Sequence, residues 1–386
     1  MLLFGPSCAL FGYLLLRLVL PLPLRPIRKL SLAVLLLLPC MKYPLYAWAG
    51  GSFFAPELPQ EALLVMEAAY ASLVILAFLT LVRDCAALAL WLARRCGAGQ
   101  NWRLPGAMPA QAAVLLACAG MTGLWGAWQA VRIPDVHTVE VRLRHLPPAL
   151  DGMTLVQLSD LHIRVLLGKE WLGRVVNRVN ALNPDIVCLT GDYNDGPAAR
   201  LREAMSPLAR LRARHGVFGV TGNHEYYFQT EAWTQLLKEL GVDMLNNEHR
   251  VLTINGASVI VGGVPDRIAP RFGGAGPDAR RAFAGAPAGP RILLAHQPRD
   301  ARENTAADLQ LSGHTHGGML VFLRPLIAAF NEGFVSGLYN VNGMRLYVSP
   351  GTGLWGGFSC RVGVPAEITR LVLRPAPPSE QDGAGR

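Results

Sequence analysis

The order of apolar and polar residues divides the chain into two parts. Up to about residue 135, apolar residues form long and nearly uninterrupted stretches, at residues 2–24, 30–48, 62–82 and 110–131. Crossing a bilayer takes a helix of about 20 apolar residues, and these stretches have almost no polar face for water to solvate. The pattern predicts a membrane region at residues 1–135, with about four transmembrane helices of this length.

Charged residues inside and between the stretches refine this prediction. We identify Arg17 and Glu67 as charges within the stretches, too few for a transporter or channel. Basic residues follow the first stretch, as at Lys29, and the third stretch, as at Arg94. Because cytoplasmic loops collect Lys and Arg, this predicts that the chain after Arg132 lies on the periplasmic or exoplasmic side.

After Pro134 the pattern changes to short apolar runs, each followed by polar residues. The runs cover residues 154–159, 186–190, 217–221, 291–295 and 309–312, and helical patterns occur at residues 169–182, 198–214 and 230–240. Alternating strands and helices predict an α/β fold. This domain is expected at residues 136–374, followed by a disordered Pro- and Gly-containing tail at residues 375–386.

The polar residues that follow these runs are of the types that bind divalent metal ions. In open α/β sheets, ligands collect at the carboxyl ends of the strands, so residues far apart in sequence can converge there. Carboxylate, imidazole and amide oxygen suit hard or borderline divalent ions. The candidates are Asp160, His162, Asp192, Asn223, His224, His296, His314 and His316. Such a set is sufficient for two ions about 3.5 to 4 Å apart.

Composition argues against two other kinds of site. The formal net charge of +9 is shared between the two parts, and the second part has no cluster of basic residues interleaved with aromatic ones. No nucleic-acid partner is therefore expected. The seven cysteines form no CxxC pair, which argues against a zinc-thiolate site and a disulfide framework.

Five motifs, in this order along the chain, resemble the signature of the calcineurin-like metallophosphoesterases. They are Ser159-Asp160-Leu161-His162, Gly191-Asp192, Gly222-Asn223-His224-Glu225, His296 and Gly313-His314-Thr315-His316. The resemblance extends from about residue 150 to residue 373. The form Gly-His-Thr-His-Gly-Gly is similar to the membrane-anchored bacterial branch of that family, which the apolar stretches also suit.

The resemblance implies a four-layer α/β/β/α sandwich with two divalent ions, leaving Mn²⁺, Fe²⁺ and Zn²⁺ open. The first ion would be held by Asp160, His162, Asp192 and His316, and the second by Asp192, Asn223, His296 and His314, with Asp192 as the bridge. The resemblance also implies that His224 is catalytic and not a ligand. At Met319, where the family commonly has Gln, the chain departs from the pattern, which concerns substrate contacts.

The implied activity is hydrolysis of phosphate esters by a two-metal mechanism. Apolar residues at 320–323 and 326–330, together with Trp355, Phe358 and the membrane region, favour a phosphodiester or pyrophosphate that is lipid-linked. Core packing is the alternative explanation for these residues. The alternative functions are a phosphomonoesterase or phosphoprotein phosphatase and a metal-binding scaffold without catalysis. No protein partner is indicated.

Overall fold

A computed structural model describes residues 4–50, 54 and 56–377 of the chain. Its contacts divide the chain into two units. Met1–Gln129 and Gly357–Val362 form the helical unit, and Ala130–Gly356 and Gly363–Arg386 form the α/β unit. No pattern in the sequence indicated that Gly357–Val362 belongs with the helices. Of the tail predicted to be disordered, residues 378–386 lie outside the described residues.

The helical unit contains five α-helices among its described residues. They are α1 (Phe4–Leu14, continued by a π-helical turn at Leu15–Val19), α2 (Pro26–Cys40), α3 (Lys42–Ala49), α4 (Gln60–Arg95) and α5 (Met108–Val131). By length and composition, α4 and α5 could cross a membrane, and α2 with α3 would add a third span if the bent pair acts as one. Four spans and the outer location of the second unit stay predictions.

The bend between α2 and α3 measures 54°. Pro44, near the start of α3, has no N–H to donate to the carbonyl of Cys40, and its ring crowds that carbonyl. The second apolar stretch is therefore broken at Met41, between the two helices.

Arg17 and Lys42, in the apolar helices, are each paired with an opposite charge. Nε of Arg17 lies 2.7 Å from Oδ2 of Asp84, and Nζ of Lys42 lies 2.7 Å from Oε1 of Glu67. Lys42 falls within the second stretch, so the identification of Arg17 and Glu67 as the charges of the stretches was incomplete. Pairing lowers the cost of placing such groups among apolar side chains.

In the described part of the α/β unit, twelve strands form two six-stranded mixed sheets. The first sheet has the order β1-β12-β2-β3-β4-β5, and its strands are β1 (Asp135–Leu143), β2 (Thr154–Leu158), β3 (Ile186–Leu189), β4 (Val217–Gly219), β5 (Asp243–Met244) and β12 (Glu367–Pro375). The second has the order β10-β11-β9-β8-β7-β6, and its strands are β6 (Glu248–Ile254), β7 (Ala257–Gly263), β8 (Arg291–Leu294), β9 (Leu309–Ser312), β10 (Gly337–Val341) and β11 (Met344–Val348).

The helices of this unit include the three that the sequence predicted. The described helices are α6 (Lys169–Asn180), α7 (Ala198–Met205), α8 (Asn223–Tyr227), α9 (Thr230–Glu239), α10 (Ala279–Ala282) and α11 (Arg324–Phe330). The three that were predicted are α6, α7 and α9. The predicted helix at residues 198–214 ends early, because α7 passes into a 3-10 turn at Ser206–Arg210. Further 3-10 turns occur at Pro148–Leu150, Ala269–Phe272, His316–Gly318 and Val321–Leu323.

Three apolar layers hold the two sheets and the helices together. Alternate residues of β3 point to opposite faces: Val187 packs towards α6 and α9, whereas Ile186 packs between the two sheets. A third layer covers the outer face of the second sheet, where Ile260 packs with Phe283. Successive side chains of a strand point to opposite faces of the sheet, so a strand that is covered on both faces places alternate residues in different layers. The predicted α/β/β/α sandwich is confirmed.

Candidate metal centre

Polar side chains converge where strands of both sheets end. Asp160 and His162 follow β2, Asp192 follows β3, Asn223 and His224 begin α8 just after β4, His296 follows β8, and His314 and His316 follow β9. All eight predicted residues are brought together at this edge. The prediction rested on parallel strands presenting their carboxyl ends to one site, and these strands are parallel within each sheet.

The side-chain atoms form overlapping groups of a size that one cation could fill. Nε2 of His316 lies 3.6 Å from Oδ1 of Asp160, and Nε2 of His162 lies 3.6 Å from Oδ2 of Asp192. On the other side of Asp192, Oδ2 lies 3.2 Å from Nε2 of His296. Two ligand atoms that each bind one ion at about 2.1 Å are at most about 4.2 Å apart. The separations therefore fit metal coordination, with Asp192 shared between the groups.

Asn223 and His314 complete the group on the His296 side. Oδ1 of Asn223 lies 3.2 Å from Nε2 of His296. His314 lies with Asp192 and His296 in a cluster whose candidate ligand atoms are within 4.8 Å of one another. Asp192, Asn223, His296 and His314 therefore lie close together on this side of the site.

The backbone is strained at most of these positions. Asp160, His162, Asp192, His314 and His316 all have φ between 45° and 71°. Residues with a Cβ rarely adopt this left-handed region, and each instance costs free energy that the surrounding structure must supply. Strain at five of the eight candidates indicates that the fold holds these side chains in place for a function.

Two glycines allow the loops to approach this closely. A Cβ at Gly313 would collide with Oγ of Ser159 and Oδ2 of Asp160. A Cβ at Gly222 would collide with Oδ1 of Asp192. Any larger residue at either position would force the carboxylates away from their present places.

The protonation pattern of the imidazoles suits cation binding. Nδ1 of His296 lies 2.7 Å from the carbonyl oxygen of Thr190, and Nδ1 of His162 lies 2.8 Å from Oδ1 of Asp195. Since both partners accept, each Nδ1 carries a hydrogen, and Nε2 is the nitrogen of each ring that would bind a metal ion. Nε2 of His162 is buried without a hydrogen-bond partner among the residues that the structure describes. A metal ion would satisfy that nitrogen.

The charges of the site also favour a cation. Burial lowers the pKa of His296, but Asp192 and Asp160 outweigh burial and raise it well above the ordinary value. Burial, together with the neighbouring His296, lowers the pKa of His314 to about 3, so His314 is a neutral imidazole that can donate a lone pair. The residues present therefore fit divalent metal ions.

Asp195 was not identified from the sequence and has a central position. Its Oδ1 lies 2.8 Å from Nδ1 of His162 and 2.9 Å from Nδ1 of His224, and its Oδ2 accepts the N–H of Gly356 at 2.6 Å. Burial raises the pKa of Asp195, but the two imidazoles outweigh burial and hold it below the ordinary value. The available signal was a second carboxylate three residues after Asp192, in the same polar segment.

Glu225 organises the loops beneath the site. Its carboxylate accepts the backbone N–H groups of Gly222, Asp192 and Tyr193 at 2.6 to 3.0 Å, and the side-chain amide of Asn194 at 2.7 Å. Glu225 lies in the first turn of α8, and its one carboxylate joins the loops after β3 and β4. The position of Asp192 depends on this buried group.

His224 lies beside the candidate metal ligands, and its Nδ1 is 2.9 Å from Oδ1 of Asp195. Its ring stands edge-on to His162, with centroids 4.5 Å apart, and its backbone N–H donates to Oδ1 of Asp192 at 2.9 Å. Burial disfavours the imidazolium, but Asp192 and Asp195 outweigh burial and raise the pKa of His224 to about 9. A divalent cation nearby would lower this pKa again, because like charges repel.

Met319, where the chain departs from the family pattern, lies just beyond His316. Its sulfur accepts the indole N–H of Trp355 at 3.4 Å. Apolar residues follow in the chain, and every residue from Val321 to Phe330 is exposed or half-buried.

A sandwich of two mixed sheets with carboxylates and imidazoles at the shared edge defines the metallophosphoesterase class of fold. Residues 153–318 match the family model described as calcineurin-like phosphoesterase. The chain is 30% identical over 250 residues to an uncharacterized metallophosphoesterase of Aquifex aeolicus, a match that covers 62% of this chain and 91% of that protein. The chain belongs to the calcineurin-like phosphoesterase family.

Two further relatives share this domain. The chain is 37% identical over 278 residues to a protein of Danio rerio named "Transmembrane protein with metallophosphoesterase domain", covering 69% of this chain and 63% of that protein. It is 33% identical over 255 residues to an uncharacterized metallophosphoesterase of Helicobacter pylori, covering 65% of this chain and 66% of that one. The chain thus matches less than two thirds of the length of these two relatives.

Proposed function

We propose that this protein is a membrane-anchored phosphoesterase that uses two divalent metal ions. The observation that carries the proposal is the pair of side-chain groups that meet at Asp192, with separations of 3.2 and 3.6 Å from its carboxylate to His296 and His162. In the proposed arrangement, Asp160, His162, Asp192 and His316 hold one ion, and Asp192, Asn223, His296 and His314 hold the other. Mn²⁺, Fe²⁺ and Zn²⁺ all suit this donor set.

When bound, two such ions would activate a water molecule and offset the negative charge that builds on the phosphoryl oxygens. The protein's own contribution is proton transfer and orientation. Asp195 holds Nδ1 of His224, which leaves Nε2 as the nitrogen that would donate a proton to the leaving oxygen. Asp195 also fixes the ring of His162, so one carboxylate would align a metal ligand with the proposed acid.

We propose further that the substrate is a phosphodiester or pyrophosphate with a lipid part. Three side chains of the segment that follows His316 are more than half exposed: Val321 at 51%, Leu326 at 53% and Phe330 at 65%. Adjacent exposed apolar side chains are typical of surfaces that meet a lipid or a partner. Exposure of this segment favours lipid contact over core packing, the alternative that the sequence left open.

The other apolar residues that the sequence singled out do not contribute to such a surface. Leu320 and Phe358 are buried, and Trp355 is half-buried against Met319. On the His224 side, however, Tyr227 and Phe272 are about half exposed, with ring centroids 6.3 Å apart. These two rings would give the lipid part of a substrate a second apolar wall.

The proposal is tested with the full-length protein in detergent, stripped of metal and resupplied with Mn²⁺. We expect metal-dependent hydrolysis of bis-p-nitrophenyl phosphate that exceeds hydrolysis of p-nitrophenyl phosphate. The reverse preference would indicate a phosphomonoesterase or phosphoprotein phosphatase. A folded, metal-loaded protein without activity on either ester or on a lipid phosphodiester in mixed micelles would instead identify a scaffold.

A further inference from the structure

Two charged side chains are buried side by side in the helical unit. Nζ of Lys42, at the start of α3, lies 2.7 Å from Oε1 and 2.8 Å from Oε2 of Glu67 in α4. Lys42 is fully buried and Glu67 is 3% exposed. Burying an ion pair among apolar side chains is costly unless its remaining hydrogen-bonding positions are filled. Charged residues inside apolar helices of a membrane protein are usually retained for a function.

Two further hydrogen bonds of this ion pair are made with Gly357–Val362. The carbonyl oxygen of Gly357 accepts from Nζ of Lys42 at 3.0 Å, and Oε2 of Glu67 accepts the N–H of Ser359 at 2.9 Å. The hydroxyl of Tyr43 also donates to the Gly357 carbonyl at 3.0 Å. The cation thus holds a carbonyl of the segment, and the anion holds an N–H two residues further on.

Further contacts within the helical unit fix the rest of the segment. The ring of Phe358 stands edge-on to the ring of Tyr70, with centroids 5.9 Å apart. The N–H of Arg361 donates to the carbonyl oxygen of Gly126 in α5 at 2.9 Å. Three helices of the unit, α3, α4 and α5, therefore contact these six residues.

The chain enters this segment directly from a residue that holds the proposed catalytic groups. Gly356, the neighbour of Gly357, donates its N–H to Asp195 at 2.6 Å, and Asp195 contacts both His162 and His224. Consecutive Cα atoms are fixed about 3.8 Å apart, so a displacement of Gly357 moves Gly356. Two adjacent glycines have wide conformational freedom of their own and need to be held from outside.

We propose that the Lys42–Glu67 ion pair is a positioning element for the phosphoesterase reaction. It fixes Gly357 and Ser359, and through the covalent chain it fixes Gly356 and the orientation of Asp195. The helices are then part of the catalytic apparatus in addition to being an anchor. This inference rests on the proposed function.

The experiment uses full-length protein in nanodiscs, loaded with Mn²⁺, and records kcat, KM, metal content and Tm with bis-p-nitrophenyl phosphate. The conservative pair of variants is Tyr43→Phe, which removes a donor to Gly357, and Tyr46→Phe, which removes the hydroxyl that donates to Glu67 at 2.9 Å. We expect Tyr43→Phe to lower kcat two- to threefold at unchanged KM and metal content, and Tyr46→Phe to leave kcat unchanged.

The ion pair itself is tested with Glu67→Gln and with the double variant Lys42→Met/Glu67→Gln. We expect Glu67→Gln to lower kcat about tenfold and to lower Tm, because Lys42 loses its counter-charge. The double variant buries no lone charge, so Tm recovers, but kcat stays low because Gly357 has lost its ammonium donor. A purely structural ion pair would restore kcat and Tm together. Arg17→Gln, which removes one of the two arginines paired with Asp84, is the control and should leave kcat unchanged.

Two outcomes would overturn the inference while leaving the proposed function intact: an active wild type whose Tyr43→Phe and Glu67→Gln variants keep full kcat, or a double variant with wild-type kcat. An inactive, metal-loaded wild type would instead contradict the proposed function itself.

Discussion

Oδ1 of Asp195 lies 2.9 Å from Nδ1 of His224 and contacts Nδ1 of His162 as well. Replacing Asp195 by Asn would let either imidazole adopt the wrong tautomer. Loss of a positioned proton donor costs about 10²- to 10⁴-fold in rate, and loss of a hydrogen-bond partner behind a metal-binding imidazole costs about 10- to 100-fold in metal affinity.

For Asp195→Asn we therefore expect a kcat at least about 10²-fold lower even at saturating Mn²⁺, together with weaker Mn²⁺ binding. Steady-state kinetics and a metal titration measure the two effects separately. Asp151→Asn, at an exposed carboxylate paired with Arg374, is the matched control and should change neither. Wild-type turnover of Asp195→Asn at saturating metal would show that Asp195 does not act on His224.

Substitutions at Asp192 and His224 are expected to have different effects on metal content and kcat. Asp192→Ala removes the carboxylate shared by both groups, so the purified protein should lose bound metal and all turnover. His224→Gln leaves the proposed ligands in place, so metal content should stay near the wild-type value while kcat falls about 10²-fold or more. Elemental analysis alongside kinetics distinguishes them. Loss of metal in His224→Gln would instead make His224 a ligand, an assignment that its cluster with His162 and Asp192 also permits.

Gly313→Ala should disturb the site by steric overlap, because the substitution changes no charge and removes no candidate ligand. The added Cβ meets Oγ of Ser159 and Oδ2 of Asp160, both of them buried. Overpacking of this kind typically costs about 1–3 kcal/mol, and moving Asp160 should also weaken metal binding. Denaturant unfolding and metal content are the measurements. Gly168→Ala is the control, because a Cβ there meets its neighbours only at ordinary contact distances of 3.7 and 3.8 Å. Equal behaviour of the two variants would count against the close approach at Gly313.

The exposed apolar segment is tested by Leu326→Asp and Phe330→Asp. Since both side chains are more than half exposed, folding should be little affected. Transfer of such a side chain into apolar surroundings is worth about 1.5–3 kcal/mol, so KM for a lipid phosphodiester should rise about tenfold or more. Hydrolysis of bis-p-nitrophenyl phosphate should be unchanged.

Val251→Asp, at an exposed apolar position on β6, is the control for adding a charge. Unchanged KM for the lipid ester in both variants would contradict lipid contact at this segment.

The sequence predicted a cluster of candidate metal ligands because each of these residues comes shortly after the end of a strand. His162 and Asp192 could be placed together from local patterns, since β2 and β3 are parallel neighbours whose carboxyl ends meet at one edge of a sheet. His296 follows β8 of the second sheet, so its approach to Asp192 depends on how the two sheets pack. Asp195 could not be placed, because its role depends on two partners, His162 and His224, that the chain brings to it only in the folded state.

Other features were missed because they depend on long-range pairing. β12 inserts between β1 and β2 although it is the last strand of the described residues, and no local pattern encodes its neighbours. Lys42 lies within an apolar stretch, and no local pattern indicates that its partner is Glu67, 2.7 Å away in the folded chain. The break at Met41 has a local cause, Pro44, which length and hydropathy do not register.

The late segments of the chain have a consequence for biosynthesis. The N-terminal helices emerge from the ribosome first, yet their unit includes Gly357–Val362. The first sheet gains β12, the strand between β1 and β2, only at Glu367–Pro375. At about 5–20 residues per second, several seconds or more separate the emergence of α5 from these segments. During that interval β1 lacks β12, the strand with which it pairs, and the first sheet is incomplete. An mRNA truncated shortly before the codon for Gly357 would therefore leave both units incomplete, and its product would be a substrate for quality control.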